Sequence, residues 1–288
     1  MAMAENGKVA DPRDTERGRC LEILDRCVDF VEHESTLLQV AIDGLVKVEK
    51  MPLLLEHLNK YRDVKDGGKG QSDRKKKLEE AKKRADFVVK ERKNGFPALH
   101  AHGVVSICAA LDAMTINLCM ERMRSRPHIL MEKNFKNIKL PVACIHGMDD
   151  ETRYELILEE VRNSTRSALR RGVDAYESLL EQFGLSGVVE RGMRDDIHEM
   201  LQVRNVLLHR GGIADRRFVD ACPQFGVVIG DPVRVSADTY YRYGAGALHY
   251  VIALVERVKR GAGVESSDKT GDVVGKTDRG GPPDSVGE

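Results

Sequence analysis

The chain has 288 residues, enough for one large domain or two small ones, and 41% of them are hydrophobic, which suffices for a substantial core. Its 46 lysines and arginines balance 46 aspartates and glutamates, so net charge provides no attraction to nucleic acid or to a membrane. The N-terminus, MAMAENGKVADPRD, has no apolar signal core, and no run approaches the roughly 20 apolar residues of a membrane span. The six cysteines form no Cys-x-x-Cys pair, which is typical of a reducing compartment. We therefore expect a cytoplasmic protein without a membrane segment.

The first third of the chain predicts helices separated by a linker. Apolar residues recur at helical spacing over 14–50, and a shorter helix is predicted over 53–61, after Pro52. The segment DVKDGGKGQSD has the composition of a linker, and a charged helix follows it over 74–93. These features divide the chain into an N-terminal helical segment (1–62), a linker (63–73), a helical domain (74–260) and a glycine-rich, disordered tail (261–288).

The helical domain is predicted to be built around one apolar helix. Residues 97–124 are apolar on nearly every side, as expected of a central core helix. Residues 126–148 have no clear pattern, and further helices are predicted over about 150–168, 173–183, 188–210 and 237–260. Asp149 or Asp150 can cap the first of these helices, and Ser236 can cap the last. Between the last two, FGVVIGDPVRVS (225–236) predicts a short hairpin or extended loop. The predicted fold class is therefore all-α, a helical bundle with one extended hairpin before the last helix.

The stretch LQVRNVLLHRGG (201–212) contains polar residues at the end of an apolar helix, followed by a glycine pair suited to a C-cap. At about 100° per residue, Arg204 falls at the centre of an apolar stripe. Asn205, His198 and His209 lie together on one flank of that stripe. The other members of the stripe are Met193, Ile197, Met200, Leu207 and Leu208.

The position of Arg204 has two explanations. A guanidinium keeps its charge, so burying it costs several kcal/mol unless it is paired. Asp112, in the apolar core helix, is an obvious partner for a structural ion pair. Alternatively, the stripe faces a cleft that admits an anion.

The residues around Arg204 have the chemistry needed to cleave a phosphodiester. His209 can exchange a proton with a 2′-hydroxyl or a leaving oxygen, because imidazole titrates near neutrality. Arg204 can hold the negative charge that builds on phosphorus. Asn205 can orient His209, since the two residues are i, i+4 neighbours on a helix. This chemistry requires no metal and no cofactor.

The run RNVLLH resembles the Arg-x4–6-His motif of the HEPN superfamily, the higher eukaryotes and prokaryotes nucleotide-binding domains. The longer stretches RNVLLHRGGIADRRF and VRVSADTYYRYGAGALHYVIALVERV are similar to the RiboL-PSP-HEPN-like branch of bacterial proteins. The apolar helix that contains Asp112 resembles the other core helix of the family, where an acidic residue is frequent. The resemblance covers about 97–260. Two positions differ from the pattern: Asp112 stands where glutamate is frequent, and Arg210 stands where asparagine often follows the histidine.

The resemblance implies a compact helical bundle that forms a homodimer, with the two motifs facing each other across the two-fold axis. It also implies a metal-independent RNA endonuclease in a toxin or defence system, with Arg204 and His209 catalytic, Asn205 beside them, and Asp112 and His198 in support. Some members of the family keep the fold without the activity. The alternative is therefore a non-catalytic binding or scaffold protein in which Arg204 belongs to a buried structural ion pair.

Basic residues outside the motif are weaker candidates for contact with RNA. The run RKKK comprises Arg74, Lys75, Lys76 and Lys77 and is the densest part of a locally basic segment, and Arg210 adjoins the motif. The other explanation for the run is a solvated helix face. The N-terminal helices, 14–62, are either a surface for an antitoxin or other partner protein or additional packing.

Overall fold

The computed structural model describes residues 12–66, 69–136, 138–140, 147–165 and 172–260. Within these ranges the chain forms nine α-helices and no β-strand, which confirms the all-α prediction. The helices are α1 (Pro12–Val48), α2 (Met51–Asp66), α3 (Gln71–Lys93), α4 (Pro97–Ser125), α5 (Asp150–Ser164), α6 (Val173–Gln182), α7 (Arg191–His209), α8 (Arg216–Ala221) and α9 (Ala237–Arg260). Short 3₁₀ turns follow at Pro127–Met131, Lys133–Phe135 and Pro223–Phe225.

Helix α4 is the centre of the bundle, as its sequence predicts. It packs against α1, α5, α6, α7 and α9, and Val104, Ile107, Leu111 and Leu118 on it are fully buried. By length and composition alone, α4 is also the one helix among the described residues that could cross a membrane. The core helix of a folded bundle satisfies the same test, and 56% of the apolar window of α4 is buried inside this fold.

Helix α1 belongs to the same core as α4. Cys20, Leu24 and Val31 on α1 are buried, and the helix packs along α4 and α9. At its N-terminal end the buried carboxylate of Glu16 accepts hydrogen bonds from Arg122 of α4 and from Arg126, the residue that follows α4. Helix α1, within the predicted N-terminal segment 1–62, is therefore a structural part of the bundle.

Helices α2 and α3 form an antiparallel hairpin, and the turn between them is shorter than the predicted linker of 63–73. Helix α2 continues through Asp66 and α3 begins at Gln71, so residues on both sides of the glycine cluster belong to helices rather than to the predicted linker. Helix α2 packs mainly against α3. Three ion pairs join the antiparallel elements along their length: Asp63–Arg74, Glu56–Lys82 (3.0 Å) and Glu49–Arg92 (3.0 Å).

Several predicted helix ends have the expected caps. The side chain of Asp149 accepts a hydrogen bond from the backbone N–H of Thr152 at 2.9 Å, at the start of α5. Ser236 similarly accepts from the N–H of Thr239 at 3.1 Å, at the start of α9. Helix α5 ends at Ser164 with Thr165 as its C-cap, and residues 166–168 of the predicted helix lie outside the described ranges.

The segment 225–236 is extended but does not pair with itself as a hairpin. It forms a single antiparallel bridge, Ile213 with Pro232, to the residues that follow α7. Its proline and its tight turn remove the donors and the length that a two-stranded ladder requires. Before it lies α8, which the sequence analysis missed, and whose first turn is capped by Asp215.

Some predictions concern residues outside the described ranges. The tail that was predicted to be disordered, 261–288, lies there, as does Cys144. The other five cysteines are buried free thiols, in keeping with their apolar helical positions.

Candidate functional site

Arg204 of α7 contacts Asp112 of α4. Its Nη2 donates to Asp112 Oδ2 across 3.4 Å, a long hydrogen bond within an ion pair. The two residues are brought together because α7 packs against α4 in the bundle. The structure therefore joins two residues that the sequence analysis had proposed as partners.

This ion pair lies at an open surface rather than in a closed core. The side chains of Arg204 and Asp112 are 32% and 39% exposed. A guanidinium has five N–H donors, and this hydrogen bond to Asp112 is the only one that Arg204 makes through its side chain to described residues. The remaining donors are thus available to an anion at the surface.

The position of Arg204 on α7 differs from the prediction made at 100° per residue, which placed it at the centre of the apolar stripe. In the C-terminal half of α7 the buried residues Met200, Val203 and Val206 lie roughly 40° to 160° to one side of it, while buried Ile197, two turns before Arg204, lies about 20° to the other side. Leu208, which the same prediction placed on the buried stripe, is 52% exposed. Arg204 is therefore at the edge of the buried face. The angular prediction counted every apolar residue of the helix equally, and the sequence does not show which of them contact other helices.

Tyr176 of α6 completes this cluster, and the sequence analysis missed it. Its hydroxyl donates to Asp112 Oδ1 at 2.8 Å, so one carboxylate oxygen serves Tyr176 and the other serves Arg204. Burial first, and the negative charge of Asp112 second, hold the pKa of Tyr176 well above its usual value. Tyr176 therefore stays a donor. Its only sequence signal was its place on the apolar face of the predicted 173–183 helix.

His209 and Asn205 lie on the same helix near its C-terminal end. His209 is exposed and is the last residue of α7, while Asn205 is half-buried. Neither side chain has a hydrogen bond to the described part of the chain, so the predicted contact between Asn205 and His209 is not formed in this structure. Arg204, Asn205 and His209 together occupy one and a half helical turns, about 8 Å along the axis.

Backbone hydrogen bonds fix the end of α7. Gly211 and Gly212 adopt positive φ angles of 60° and 77°, and the N–H of Gly212 donates to the carbonyl of Val206 at 3.1 Å. The extended segment then clamps the turn, because the N–H of Val233 donates to the carbonyl of Gly212 at 2.8 Å. His209 therefore projects from a rigid helix end.

Exposed apolar side chains surround this helix end. Leu208 (52%) precedes His209, and Ile213 (44%) follows the glycine turn. Val228 (66%) and Ile229 (62%) lie on the turn whose Gly230 N–H donates to the carbonyl of Ala214 at 2.8 Å. Large apolar side chains grouped at a surface are typical of an interaction site.

The structure does not bring His198 to the same place. It lies eleven residues before His209 on α7, about 17 Å along the helix axis. There it is half-buried and packs against Gly172, where an added Cβ would come within 2.8 Å of the His198 Cβ. The side chain of His198 is therefore remote from the exposed imidazole that it was predicted to support.

The predicted basic residues have different surroundings. Arg74 forms the ion pair with Asp63 and donates to the carbonyl of Lys69 at 2.6 Å, and its side chain is 13% exposed. Arg74 thus holds the hairpin together. Lys75, Lys76 and Lys77 are exposed on α3. Arg210 is paired with Asp215, the cap of α8, at 3.2 Å.

Groups of possible metal ligands and cavities are the other places where a ligand could bind. Within the described ranges, no three His, Cys, Asp or Glu side chains are grouped in a way that could hold a metal ion. A cavity of about 290 Å³ lies between α1 and α4 and is separate from the Arg204–Asp112 cluster. Its lining is Ile23, Arg26, Cys27, Phe30, Ala109, Ala110, Ala113, Met114 and Asn117.

Comparison with known proteins gives no relative on which to base a function. No protein-family model, no curated protein and no solved structure matches the chain. The function is therefore inferred from the residues of the chain and their geometry.

Proposed function

We propose that this protein is a metal-independent RNA endonuclease of the HEPN type that works as a homodimer in the cytoplasm, as a toxin or defence effector. The observation that supports this most is the open position of Arg204. It is held by Asp112 through one hydrogen bond, is one-third exposed, and lies on the same helix end as the exposed His209. A purely structural arginine would be expected to use more of its donors within the fold.

In the proposed reaction, the 2′-hydroxyl of the substrate loses its proton to a neutral His209. The oxygen attacks the adjacent phosphorus, a new P–O2′ bond forms, and the P–O5′ bond breaks as the leaving oxygen takes a proton from an imidazolium. Arg204 stabilises the charge on the phosphoryl oxygens during this step. Tyr176 and Asp112 position the guanidinium, and Asn205 contacts the substrate or His209 once RNA is bound.

A homodimer supplies the second imidazole that this reaction uses. One His209 serves as the base and the His209 of a second copy serves as the acid. The exposed Leu208, Ile213, Val228 and Ile229 are the residues we assign to that dimer interface. Lys75, Lys76 and Lys77, which are exposed, extend the contact to the RNA backbone.

The competing proposal is a non-catalytic scaffold or binding protein of the same fold. The observation that favours it is the Arg204–Asp112 ion pair itself, which joins α7 to α4 within one chain. In that case the arginine contributes to folding and His209 has no role in the reaction.

RNA cleavage in EDTA tests the two proposals. Purified full-length protein is incubated with a labelled structured RNA, and products are resolved on a sequencing gel. We expect cleavage by the wild type, and a loss of at least 100-fold in His209→Ala and Arg204→Ala. His249→Ala, which removes an exposed histidine of α9, is the matched control and is expected to keep full activity.

Two further results decide between the proposals. Mixing wild-type chains with an excess of His209→Ala chains tests whether the site is shared. A mixed dimer keeps only one His209 and therefore lacks either the base or the acid, so a shared site predicts that cleavage falls with the fraction of wild-type homodimers. Absence of cleavage by the wild type, together with no growth arrest on expression in cells, would rule out the nuclease and favour the scaffold.

A further inference from the structure

The side of α2 that faces away from α3 is an exposed apolar stripe. Met51, Leu54, Leu58 and Tyr61 follow the 3-4-3 spacing that places residues on one line along a helix. Their exposed fractions are 42%, 53%, 42% and 68%. Val64 (88%) borders this stripe at its C-terminal end, whereas Leu53 (61%) is exposed about 120° away around the helix. We call this surface the α2 face; patches of this kind mark sites of interaction.

The opposite side of α2 is already occupied. Glu56 and Asp63 are both turned toward α3, where they pair with Lys82 and Arg74, and Glu49 just before α2 pairs with Arg92. Ion pairs thus occupy the side of α2 that faces α3. A partner of α2 has only the apolar side to bind.

The charges that flank the α2 face are all basic. Between residues 50 and 65 the carboxylates are Glu56 and Asp63, and both are engaged by α3. Lys50, Lys60, Arg62 and Lys65 are exposed and pair with no described residue. A complementary surface therefore carries apolar side chains in the middle and carboxylates at its edges.

We propose that the α2 face binds an acidic amphipathic helix of a partner protein. The 3-4-3 spacing matches the a and d positions of a heptad, which receive the a and d side chains of one facing helix. Lys50 and Arg62, at the g and e positions beside this seam, then lie opposite glutamates or aspartates at the e and g positions of that helix. This inference is independent of the proposed nuclease function, because none of its residues belongs to the Arg204–Asp112 cluster.

The size and charge of the α2 face favour this occupant over the others. The stripe from Met51 to Tyr61 is about 15 Å long, the length of a three-turn helix contact. Five side chains, each exposed by roughly 100 Å², present on the order of 500 Å², a size typical of a weak, transient interface. A second copy in an antiparallel arrangement would oppose lysines to lysines, and a lipid surface would not use a stripe one side chain wide.

Peptide binding to the full chain tests the proposal. The probes are two fluorescein-labelled 21-residue peptides with leucine at every a and d position, one with glutamate and one with lysine at e and g. Fluorescence anisotropy at moderate salt measures the affinity of each peptide. We expect the glutamate peptide to bind at least tenfold more tightly than the lysine peptide.

Variants of the α2 face localise that binding. Leu54→Ser with Leu58→Ser is expected to weaken the glutamate peptide at least tenfold. Ile252→Ser is the matched control, because Ile252 of α9 is 54% exposed and Leu54 is 53% exposed. Lys50→Glu with Arg62→Glu, both at exposed positions beside the seam, is expected to reverse the preference, so that the lysine peptide binds better. All these side chains are substantially exposed, and circular dichroism verifies that each variant is folded.

Three results would overturn the proposal. The first is equal binding of the two peptides, or equal weakening by the Ile252 control. The second is a dimer in sedimentation equilibrium that becomes a monomer in the Leu54→Ser, Leu58→Ser variant, which would assign the face to a second copy. The third is binding to phosphatidylserine-containing vesicles that the same variant loses, which would assign it to a lipid surface.

Discussion

Arg204 of α7 and Asp112 of α4 form an ion pair at 3.4 Å in which about a third of each side chain is open to solvent, 32% and 39% respectively. A pair so exposed is stabilised little by Coulomb attraction, since water screens the two charges. This geometry separates the pair from the fully buried ion pairs whose loss costs several kcal/mol. The cluster can therefore be disturbed without unfolding the protein.

A double-mutant cycle on Arg204 and Asp112 measures the energy of this pair. We expect Arg204→Ala, Asp112→Ala and the double variant to give a coupling energy of at most about 1 kcal/mol in urea unfolding. The pair Glu16–Arg122, whose side chains are 4% and 10% exposed, is the internal comparison and is expected to couple more strongly. A coupling near 3 kcal/mol for Arg204 and Asp112 would instead favour the structural role of the arginine.

Tyr176→Phe removes the hydrogen bond that fixes Asp112 while keeping the ring in place. We expect the free energy of unfolding to fall by about 1 kcal/mol, the usual contribution of one such bond. If Asp112 positions the guanidinium for the proposed reaction, RNA cleavage falls more than the fraction of folded protein does. Urea unfolding and the cleavage rate at saturating RNA are measured on the same preparation, and an unchanged rate would remove Tyr176 from the site.

Gly212 is predicted to be essential for the end of α7. Its φ of 77° is disfavoured for any residue with a Cβ, so Gly212→Ala is expected to destabilise the protein by about 1–2 kcal/mol. Gly192→Ala is the control within α7: nothing lies within 4 Å of an added Cβ, and the backbone is helical. That change is expected to be neutral or to stabilise by up to about 1 kcal/mol. Equal thermal unfolding of the two variants would contradict the role assigned to the glycine turn.

His100 is predicted to make the stability of the bundle depend on pH. It is 2% exposed on α4, and burial lowers its pKa from the usual value of 6.5, partly offset by the backbone at Phe96 and Gly95. The unfolded chain therefore binds a proton that the folded chain does not. Stability is complete above about pH 6.5 and falls as the pH drops toward the lowered pKa.

Replacing His100 tests this dependence. His100→Gln has no proton to bind, so the decrease in the urea midpoint between pH 7.5 and pH 5.5 should be smaller than in the wild type. His33→Gln, at an exposed position of α1, should retain the wild-type decrease. A His100→Gln variant with an unchanged pH response would show that other groups cause it.

The sequence alone was sufficient to predict most of the helices and to name Arg204 and Asp112 as candidate partners of an ion pair. Periodicity and capping residues such as Asp149 and Ser236 located most helices, because these signals depend on neighbours within a few residues. Helix α4 was identified as the central helix because it is apolar on nearly every side. Arg204 and Asp112 were identified as partners because each is a charged residue on an otherwise apolar helix face, and the structure joins them.

Only the tertiary structure decided how open that pair is and what surrounds it. Which side of α7 is buried depends on where α4 and α9 pack. The angular prediction therefore placed Arg204 at the centre of the buried face, whereas its side chain is 32% exposed. Tyr176 reaches Asp112 from 64 residues away along the chain, and His198 is directed to Gly172 instead of to His209. Contacts between distant parts of the chain depend on the packing of whole helices, and a local pattern contains no record of them.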